Sequence, residues 1–345
     1  MKSFSTTLVL AGTLVLALAC EQSPPKEEAS AYPTTGSIER LDPALDAIIA
    51  PGTSIEVLAD SFVWSEGPVW IGDETGFVVF SDVPSNEAFR WKDGEGLSSY
   101  LNPSGYTGPE REGSTEGSNG LTLDLEGNLV LCQHGDRRVA RMLASTSSPE
   151  PSYETIVGEY QGKRFNSPND AVFRTDGMLY FTDPPYGLQF GPNDTLNREI
   201  AFNGVYAASA SGEVSLIDST MTRPNGIALS PDESILYVAN SDPQAALWKK
   251  FTRDADGQYG QGEIFADATD RVSEENKGMP DGMRVLSSGE VIATGPGGVL
   301  VYSAEGRLLG VIRTGQRTAN CEIGKDGYLY MTAHMFLMRV KLAKT

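Results

Sequence analysis

Six acidic or amide residues stand at corresponding places in six similar segments of the sequence. They are Glu66, Asn119, Asn169, Asn225, Asp281 and Asn320. Each precedes an apolar run, a turn that contains Gly or Asp, and a second apolar or aromatic run. Oxygen donors without histidine or cysteine suit a hard divalent cation. If the chain brings these side chains together, they predict a site for Ca²⁺, Mg²⁺ or Mn²⁺ rather than Zn²⁺.

Two of the six, Glu66 and Asp281, are carboxylates. Placed together at the end of a narrow channel, they would repel each other unless a cation or a proton lay between them. Taken singly, each Asn or Asp could instead stabilise the turn before a strand. The chain has only two histidines, His134 and His334, which is too few for a histidine-rich zinc site.

The elements that must position these residues are short strands. The segments recur at intervals of 39 to 56 residues, with turns such as "DLEGN", "RTDGM" and "GKDGY". Units of about 40 to 50 residues with four short strands are typical of β-propeller blades. The sequence therefore predicts an all-β fold, a six-bladed β-propeller over residues 46–345 with a central metal site. Two packed β-sandwiches would explain the strands but not the single period. We expect "SIEVLAD" (Ser54–Asp60) to close the last blade.

A second polar ring is expected around the first. The first strand of each blade lines the central channel, and the antiparallel second strand returns to the same mouth. The residues at those ends are Asp82, His134, Asp183, Asn240 and Thr294, with His334 near the equivalent place. We expect His134 and Asp183 to contact a small polar substrate, together with Asn119 and Asn169. The alternatives are a surface imidazole for His134 and a turn cap for Asp183.

A long Gly- and Ser-rich segment, Glu95–Ser118, contains Tyr106 in "PSGYTG". Its length predicts a lid over the channel mouth that brings Tyr106 to the substrate.

Composition excludes some classes of function. The chain of 345 residues carries a formal net charge of −19, which argues against nucleic-acid binding. It contains no EF-hand loop, HExxH, P-loop or dinucleotide-binding fingerprint. Cys132 and Cys321 lie in apolar strand patterns, so two buried free thiols are favoured over a disulfide.

The first residues form a separate segment. Residues 1–19 have the pattern of a secretory signal peptide, with an apolar run that ends in "ALA" before Cys20. Cleavage would leave Cys20 either as an ordinary N-terminus or as the site of a lipid anchor. Residues 20–45 are polar and predict a tether. We therefore expect an exported protein of a bacterium, periplasmic or anchored as a lipoprotein.

Several motifs together resemble one family. "WSEGPVW", "GSNGLTLD", "SPNDAVF", "FTDPPYGL", "RPNGIALSPDE" and "MPDGM" are similar to those of the SMP-30/gluconolactonase/LRE-like group, especially exported bacterial gluconolactonases. The resemblance begins at about Leu41. It implies a six-bladed propeller that holds one divalent metal, commonly Ca²⁺, and hydrolyses lactones; some relatives hydrolyse organophosphates. It also implies that Glu66, Asn225 and Asp281 are metal ligands, that Asn169 binds metal or substrate, and that Asp281 is the general base or nucleophile.

Three functions are compatible with these residues. The first is metal-dependent hydrolysis of sugar lactones, with the metal polarising the carbonyl and Asp281 as general base. The second keeps the site but cleaves phosphotriesters or aryl esters. The third is a ligand-binding propeller in which calcium is only structural.

Overall fold

The computed structural model describes residues 1–4, 30–109 and 116–343. The chain divides into two compact units, Met1–Ala31 and Tyr32–Thr345. Most of the expected signal peptide, with Cys20, lies outside the described residues. No helix in the described ranges is long and apolar enough to cross a membrane. The helices found there are four short 3-10 turns, Pro43–Ala47, Val83–Ser85, Gly191–Asn193 and Thr269–Arg271.

The rest of the regular structure is β-strand. In chain order the strands are β1 (Thr34–Thr35), β2 (Ser37–Arg40), β3 (Ile55–Ala59), β4 (Ser65–Ile71), β5 (Phe77–Asp82), β6 (Glu87–Lys92), β7 (Gly96–Leu101), β8 (Ser118–Leu123), β9 (Leu129–Gln133), β10 (Arg138–Met142), β11 (Tyr153–Val157), β12 (Glu159–Tyr160), β13 (Lys163–Arg164), β14 (Ala171–Phe173), β15 (Leu179–Asp183), β16 (Gly204–Ala208), β17 (Val214–Asp218), β18 (Pro224–Leu229), β19 (Ile235–Asp242), β20 (Ala245–Thr252), β21 (Glu263–Asp267), β22 (Met283–Val285), β23 (Val291–Gly295), β24 (Gly298–Tyr302), β25 (Leu308–Arg313), β26 (Thr318–Ile323), β27 (Tyr328–Ala333) and β28 (Phe336–Lys341).

These strands form six antiparallel blades, as the repeat predicted. Blades 1 to 4 are β4–β7, β8–β11, β14–β17 and β18–β21; blade 5 is β22–β25 with β2, and blade 6 is β26–β28 with β3 and β1. The first strands of successive blades contact each other in turn, and β26 returns to contact β4. This ring of first strands surrounds the axis of a six-bladed propeller. The small hairpin β12–β13 stands outside the blades.

The ring is closed by an N-terminal strand, as predicted from "SIEVLAD". Strand β3 pairs with β28, with Ile55 opposite Val340. Two further strands, β1 and β2, pair with β3 and β25. The sheets therefore begin at Thr34, inside the segment 20–45 that we expected to be a tether. These outermost strands are short, mostly polar and at most partly buried, so they lack the apolar alternation that identifies a strand in a sequence.

The repeated turns have a common geometry. In "DLEGN" and "RTDGM" the glycines Gly127 and Gly177 adopt φ values of 82° and 88°, a left-handed conformation that a side chain would strain. The apolar side chains between these turns pack blade against blade. Cys132 and Cys321 are buried free thiols, as predicted.

Candidate active site

Five of the six repeated residues meet at one mouth of the propeller. Glu66, Asn119, Asn169, Asn225 and Asp281 line a single cavity of about 800 Å³. All are buried except Asp281, which is partly exposed. The periodic pattern of the sequence thus corresponds to a real convergence of side chains around the axis.

The sixth residue, Asn320, lies against the ring rather than in the cavity lining. Its Oδ1 accepts a hydrogen bond from the backbone N–H of Cys321 at 2.8 Å. Its side chain occupies the space where a Cβ on Gly282 would lie. Asn320 therefore fills the contact between blades 5 and 6, and its side chain also hydrogen-bonds the carboxylates of Glu66 and Asp170.

Glycine follows the ring residue in four of the six repeats, and the packing explains why. A Cβ on Gly226 would lie 2.2 Å from the carbonyl oxygen of Asp281, and one on Gly67 would lie 2.1 Å from that of Asn119. No side chain fits at such distances. At Gly67 and Gly226 the adjacent first strands therefore lie so close together that only glycine fits, and that approach brings the ring side chains of these blades together.

Glu66 accepts hydrogen bonds from Trp64, Gly67 and the side chain of Asn320. Trp64 Nε1 donates to its Oε1 at 3.1 Å, and the backbone N–H of Gly67 donates to its Oε2 at 3.2 Å. Burial outweighs these bonds and raises the pKa of Glu66 to about 7. The pKa of Asp281 is raised well above its usual range, first by loss of water and then by the negative charges of Glu66 and Asp170.

The donors present fit a divalent cation. Within the described residues, the Oδ1 atoms of Asn119 and Asn225 are buried without a hydrogen-bond partner. Asn225 donates from Nδ2 to Ser241 Oγ at 2.9 Å, which leaves its oxygen for the cavity. Two carboxylates with raised pKa values beside orphaned amide oxygens are what a hard cation would satisfy. No group of three or more His, Cys, Asp or Glu side chains in the described ranges could hold a metal, so a cation would depend on the asparagines.

A buried ion network that sequence reasoning missed lies next to the ring. Asp170 accepts from the backbone N–H groups of Ala171 and Ile227 at 3.0 and 3.3 Å. Burial raises its pKa to about 6, although the charge of Arg284 opposes this rise. Arg284 is paired with Glu322 at 2.8 Å. The signal was present, because Asp170 directly follows Asn169 in "SPND".

The expected second ring is mostly structural. Asp183 is fully buried outside the cavity lining, and it accepts from the backbone N–H groups of Asn166 and Ser167 at 2.8 and 2.7 Å. Asp82 and Asn240 cap the equivalent backbone of blades 1 and 4. The contacts of Asp183 are those of the alternative interpretation, a turn cap.

His134 does line the cavity, as expected. It comes one residue after β9, and Val83, one residue after the cap Asp82, also lines the cavity. In the second ring, the residues that face the cavity therefore lie one position after most of the residues that were predicted.

Tyr106 is not among the residues that line the cavity. The side chain of Asn86 accepts from the backbone N–H groups of Gly105 and Tyr106 at 2.8 and 3.0 Å and donates to the Tyr106 carbonyl at 3.0 Å. These bonds fix the backbone at Tyr106 beside Asn86. Of the segment proposed as a lid, Gly96–Leu101 is strand β7, and residues 110–115 lie outside the described residues.

Several cavity residues have no repeat signal in the sequence. They are Trp64, Tyr186, Arg223, Glu274, Lys277 and Arg317. Most come from connections that differ in length from blade to blade, so no shared pattern marked them.

Fold and site together define a six-bladed propeller with an oxygen-lined cavity on its axis, and the comparison with known proteins gives its family. The SMP-30/gluconolactonase/LRE-like region matches residues 64–335. A gluconolactonase of Zymomonas mobilis subsp. mobilis is 37% identical over 314 residues, which are 89% of this chain and 86% of the relative. The chain belongs to the SMP-30/gluconolactonase/LRE-like family.

Solved structures agree. A gluconolactonase of Xanthomonas campestris superposes with a TM-score of 0.76 at 29% identity, covering 92% of this chain and 99% of the other. Regucalcin of Agrobacterium tumefaciens, a calcium-binding protein, has a TM-score of 0.63 at 16% identity, covering 84% and 94%. At that identity the second likeness shows a shared fold.

Proposed function

We propose that this protein hydrolyses sugar lactones in its axial cavity. Family membership and the gluconolactonase relatives support a lactone-hydrolysing enzyme. The observation that carries the proposal is the meeting of Glu66, Asn225 and Asp281 in one cavity, with raised carboxyl pKa values and an orphaned amide oxygen.

The ligands of the cation would be Glu66, Asn169, Asn225 and Asp281. Their oxygen donors favour Ca²⁺ over softer metals. A cation bound there would polarise the lactone carbonyl and stabilise the negative charge that develops on its oxygen.

The chain's own groups account for the proton transfers. Asp281 accepts a proton from the water whose oxygen attacks the carbonyl carbon. The bond between that carbon and the ring oxygen then breaks, and the ring oxygen takes a proton, so the product is an open hydroxy acid. In the cation-free protein, burial and the neighbouring carboxylates raise the pKa of Asp281, so a bound cation would favour the ionised form that accepts the proton. Trp64 holds Glu66 in place, while Asn119 and His134 are positioned in the cavity to orient sugar hydroxyls.

The substitution Asp281→Asn tests this role. Because the amide cannot accept the proton, we expect turnover of D-glucono-1,5-lactone to fall by about 10³-fold or more. Acid release is followed by pH-stat titration. Circular dichroism and a calcium titration would establish that the variant is folded and still binds the cation. Wild-type turnover by a folded variant would contradict the assignment.

The bond that is cleaved is tested with a second substrate. We expect the lactone to be hydrolysed much faster than a phosphotriester or an aryl ester, and a chelator to abolish this activity. Faster phosphotriester cleavage would favour the second function. If Ca²⁺ raised the melting temperature of the stripped protein without restoring any turnover, the cation would be structural only.

We further propose that the protein is exported through residues 1–19 and that Cys20 begins the mature chain. The support is the sequence pattern alone. Mass spectrometry of the mature N-terminus would distinguish a lipidated Cys20 from an unmodified one, and an uncleaved Met1 would contradict export by this signal.

A further inference from the structure

Three cationic side chains surround the mouth of the cavity. Arg223, Lys277 and Arg317 all line it. Lys277 and Arg317 are exposed, and Arg223 is half-buried. Across the described part of the chain, no side chain forms a hydrogen bond or an ion pair with any of the three charged groups. By contrast, the side chains of Arg284 and Arg339 are paired with carboxylates.

The acidic groups nearby do not neutralise this mouth. Among the described residues, Glu274 is the one carboxylate that lines the cavity near its exposed end, and it lies on the same connection as Lys277. Asp242 is close enough for Arg223 to lower its pKa, and its Oδ2 accepts from Thr222 Oγ1 at 2.7 Å. In the described part of the chain, the three cations therefore outnumber the two carboxylates at this end of the cavity, although the net charge of the chain is −19. A concave mouth concentrates such a field.

The three cations also stand at similar positions relative to the ring. Each precedes a ring or ring-adjacent residue by two to four positions, Arg223 before Asn225, Lys277 before Asp281 and Arg317 before Asn320. At roughly 3.3 Å per extended residue, at most about 7–13 Å of chain separates each cation from its ring residue. A sugar acid whose carbonyl end faces Asp281 can therefore present its far end to these cations.

We propose that the preferred substrate is an anionic lactone, whose carboxylate or phosphate group, at the end opposite the lactone carbonyl, is bound by Arg223, Lys277 and Arg317. The inference rests on the proposed lactone hydrolysis and adds the charge of the substrate to it. Guanidinium and ammonium groups bind both kinds of anion through charge-assisted hydrogen bonds.

The kinetic test compares three lactones at pH 7. They are neutral D-glucono-1,5-lactone, its 6-phosphate, and D-glucaro-1,4-lactone, which carries a carboxylate. We expect kcat/KM to be at least about tenfold higher for one of the two anionic lactones, and this advantage to shrink in 0.5 M NaCl because exposed charges are screened. Which anionic lactone is preferred distinguishes a phosphate from a carboxylate.

Charge-removing variants connect the preference to the three residues. We expect Lys277→Gln and Arg317→Gln each to lower kcat/KM for the anionic lactone by about fivefold, and that for the neutral lactone by less than about twofold. The matched control is Lys325→Gln, which removes the same charge from the turn at the other end of β26. Equal rates for charged and neutral lactones, or an anionic preference that survives both substitutions, would overturn the inference.

Binding measurements separate this inference from the proposed function. Calorimetry with gluconate, glucarate and 6-phosphogluconate requires no turnover. We expect glucarate or 6-phosphogluconate to bind at least about fivefold more tightly than gluconate, and this difference to disappear in Arg317→Gln. If no lactone were hydrolysed but this binding pattern held, the proposed function would fail while the anion site stood. Equal affinity for all three acids would reject the anion site itself.

Discussion

Glu66 shows how a single buried carboxylate makes the site sensitive to both protons and cations. It receives one N–H from Trp64 and one from the backbone of Gly67, and these do not offset the water that it loses. Its pKa of about 7 in the cation-free protein means that a proton occupies it at lower pH. A cation must then displace that proton, so cation affinity falls as the pH falls.

Calcium binding should therefore weaken as the pH falls. Apparent affinity should be at least about tenfold weaker at pH 6 than at pH 8, and more if Asp281 releases a second proton. Calorimetric titration across this range measures the effect, and comparison of two buffers with different ionisation enthalpies counts the protons released. The control is Glu66→Gln, which should bind more weakly and with a flatter profile. An affinity that is constant from pH 6 to pH 8 would contradict the predicted exchange.

Asp183 illustrates the opposite case, a buried carboxylate whose work is structural. Removing it in Asp183→Ala would leave the backbone N–H groups of Asn166 and Ser167 buried without acceptors. We expect the free energy of unfolding to fall by about 2–4 kcal/mol, measured by urea denaturation. The KM of the folded variant for lactone should change less than about twofold. A large rise in KM with unchanged stability would restore the substrate contact that the sequence suggested.

At the scale of the elements, strand β3 joins the two ends of the propeller domain. Ile55 is 1% exposed and packs in the core shared by blades 5 and 6. We expect Ile55→Ala to lower the free energy of unfolding by about 2–4 kcal/mol, because it leaves a cavity where the ring closes. The matched control is Ile264→Ala in the outer strand β21, where the side chain is 60% exposed and the cost should stay below about 0.5 kcal/mol. Equal effects of the two substitutions would show that β3 is not part of the cooperative core.

The repeats in the sequence made the blades predictable, but they did not reveal the strands at the sheet edges. Inner strands such as β5 and β9 are buried on both faces and read as apolar runs. Strands β1 and β2 lie at sheet edges with mostly polar, partly exposed side chains, so their pairing depends chiefly on backbone bonds that leave no pattern in the sequence.

At the scale of the whole molecule, the site residues that follow the six-fold repeat were predictable from the sequence, and those that depart from it were not. The inner ring was predictable because one position per blade is constrained by the same close approach at the axis, as Gly67 and Gly226 show. The outer ring has the same symmetry but a structural role, because Asp82 and Asp183 accept hydrogen bonds from backbone N–H groups. The cations at the mouth break the symmetry altogether, and only the folded chain brings Arg223 and Arg317 into one cavity.

A cation shared by opposite blades should stabilise the entire ring. Glu66 belongs to blade 1, while Asn225 and Asp281 belong to blades 4 and 5, so a bound ion would link both sides of the axis. The unfolded chain lacks this arrangement, so calcium at 100 times its dissociation constant should add about 2.7 kcal/mol. For a domain of this size, that raises the melting temperature by about 4 °C, measured by calorimetry with and without chelator at pH 8. Sodium at equal ionic strength is the control, since screening alone would act equally in both salts. The rise in melting temperature should be lost in Glu66→Gln and at pH 5.5, where the carboxylates are protonated. An identical rise under all of these conditions would place the cation somewhere other than the axis.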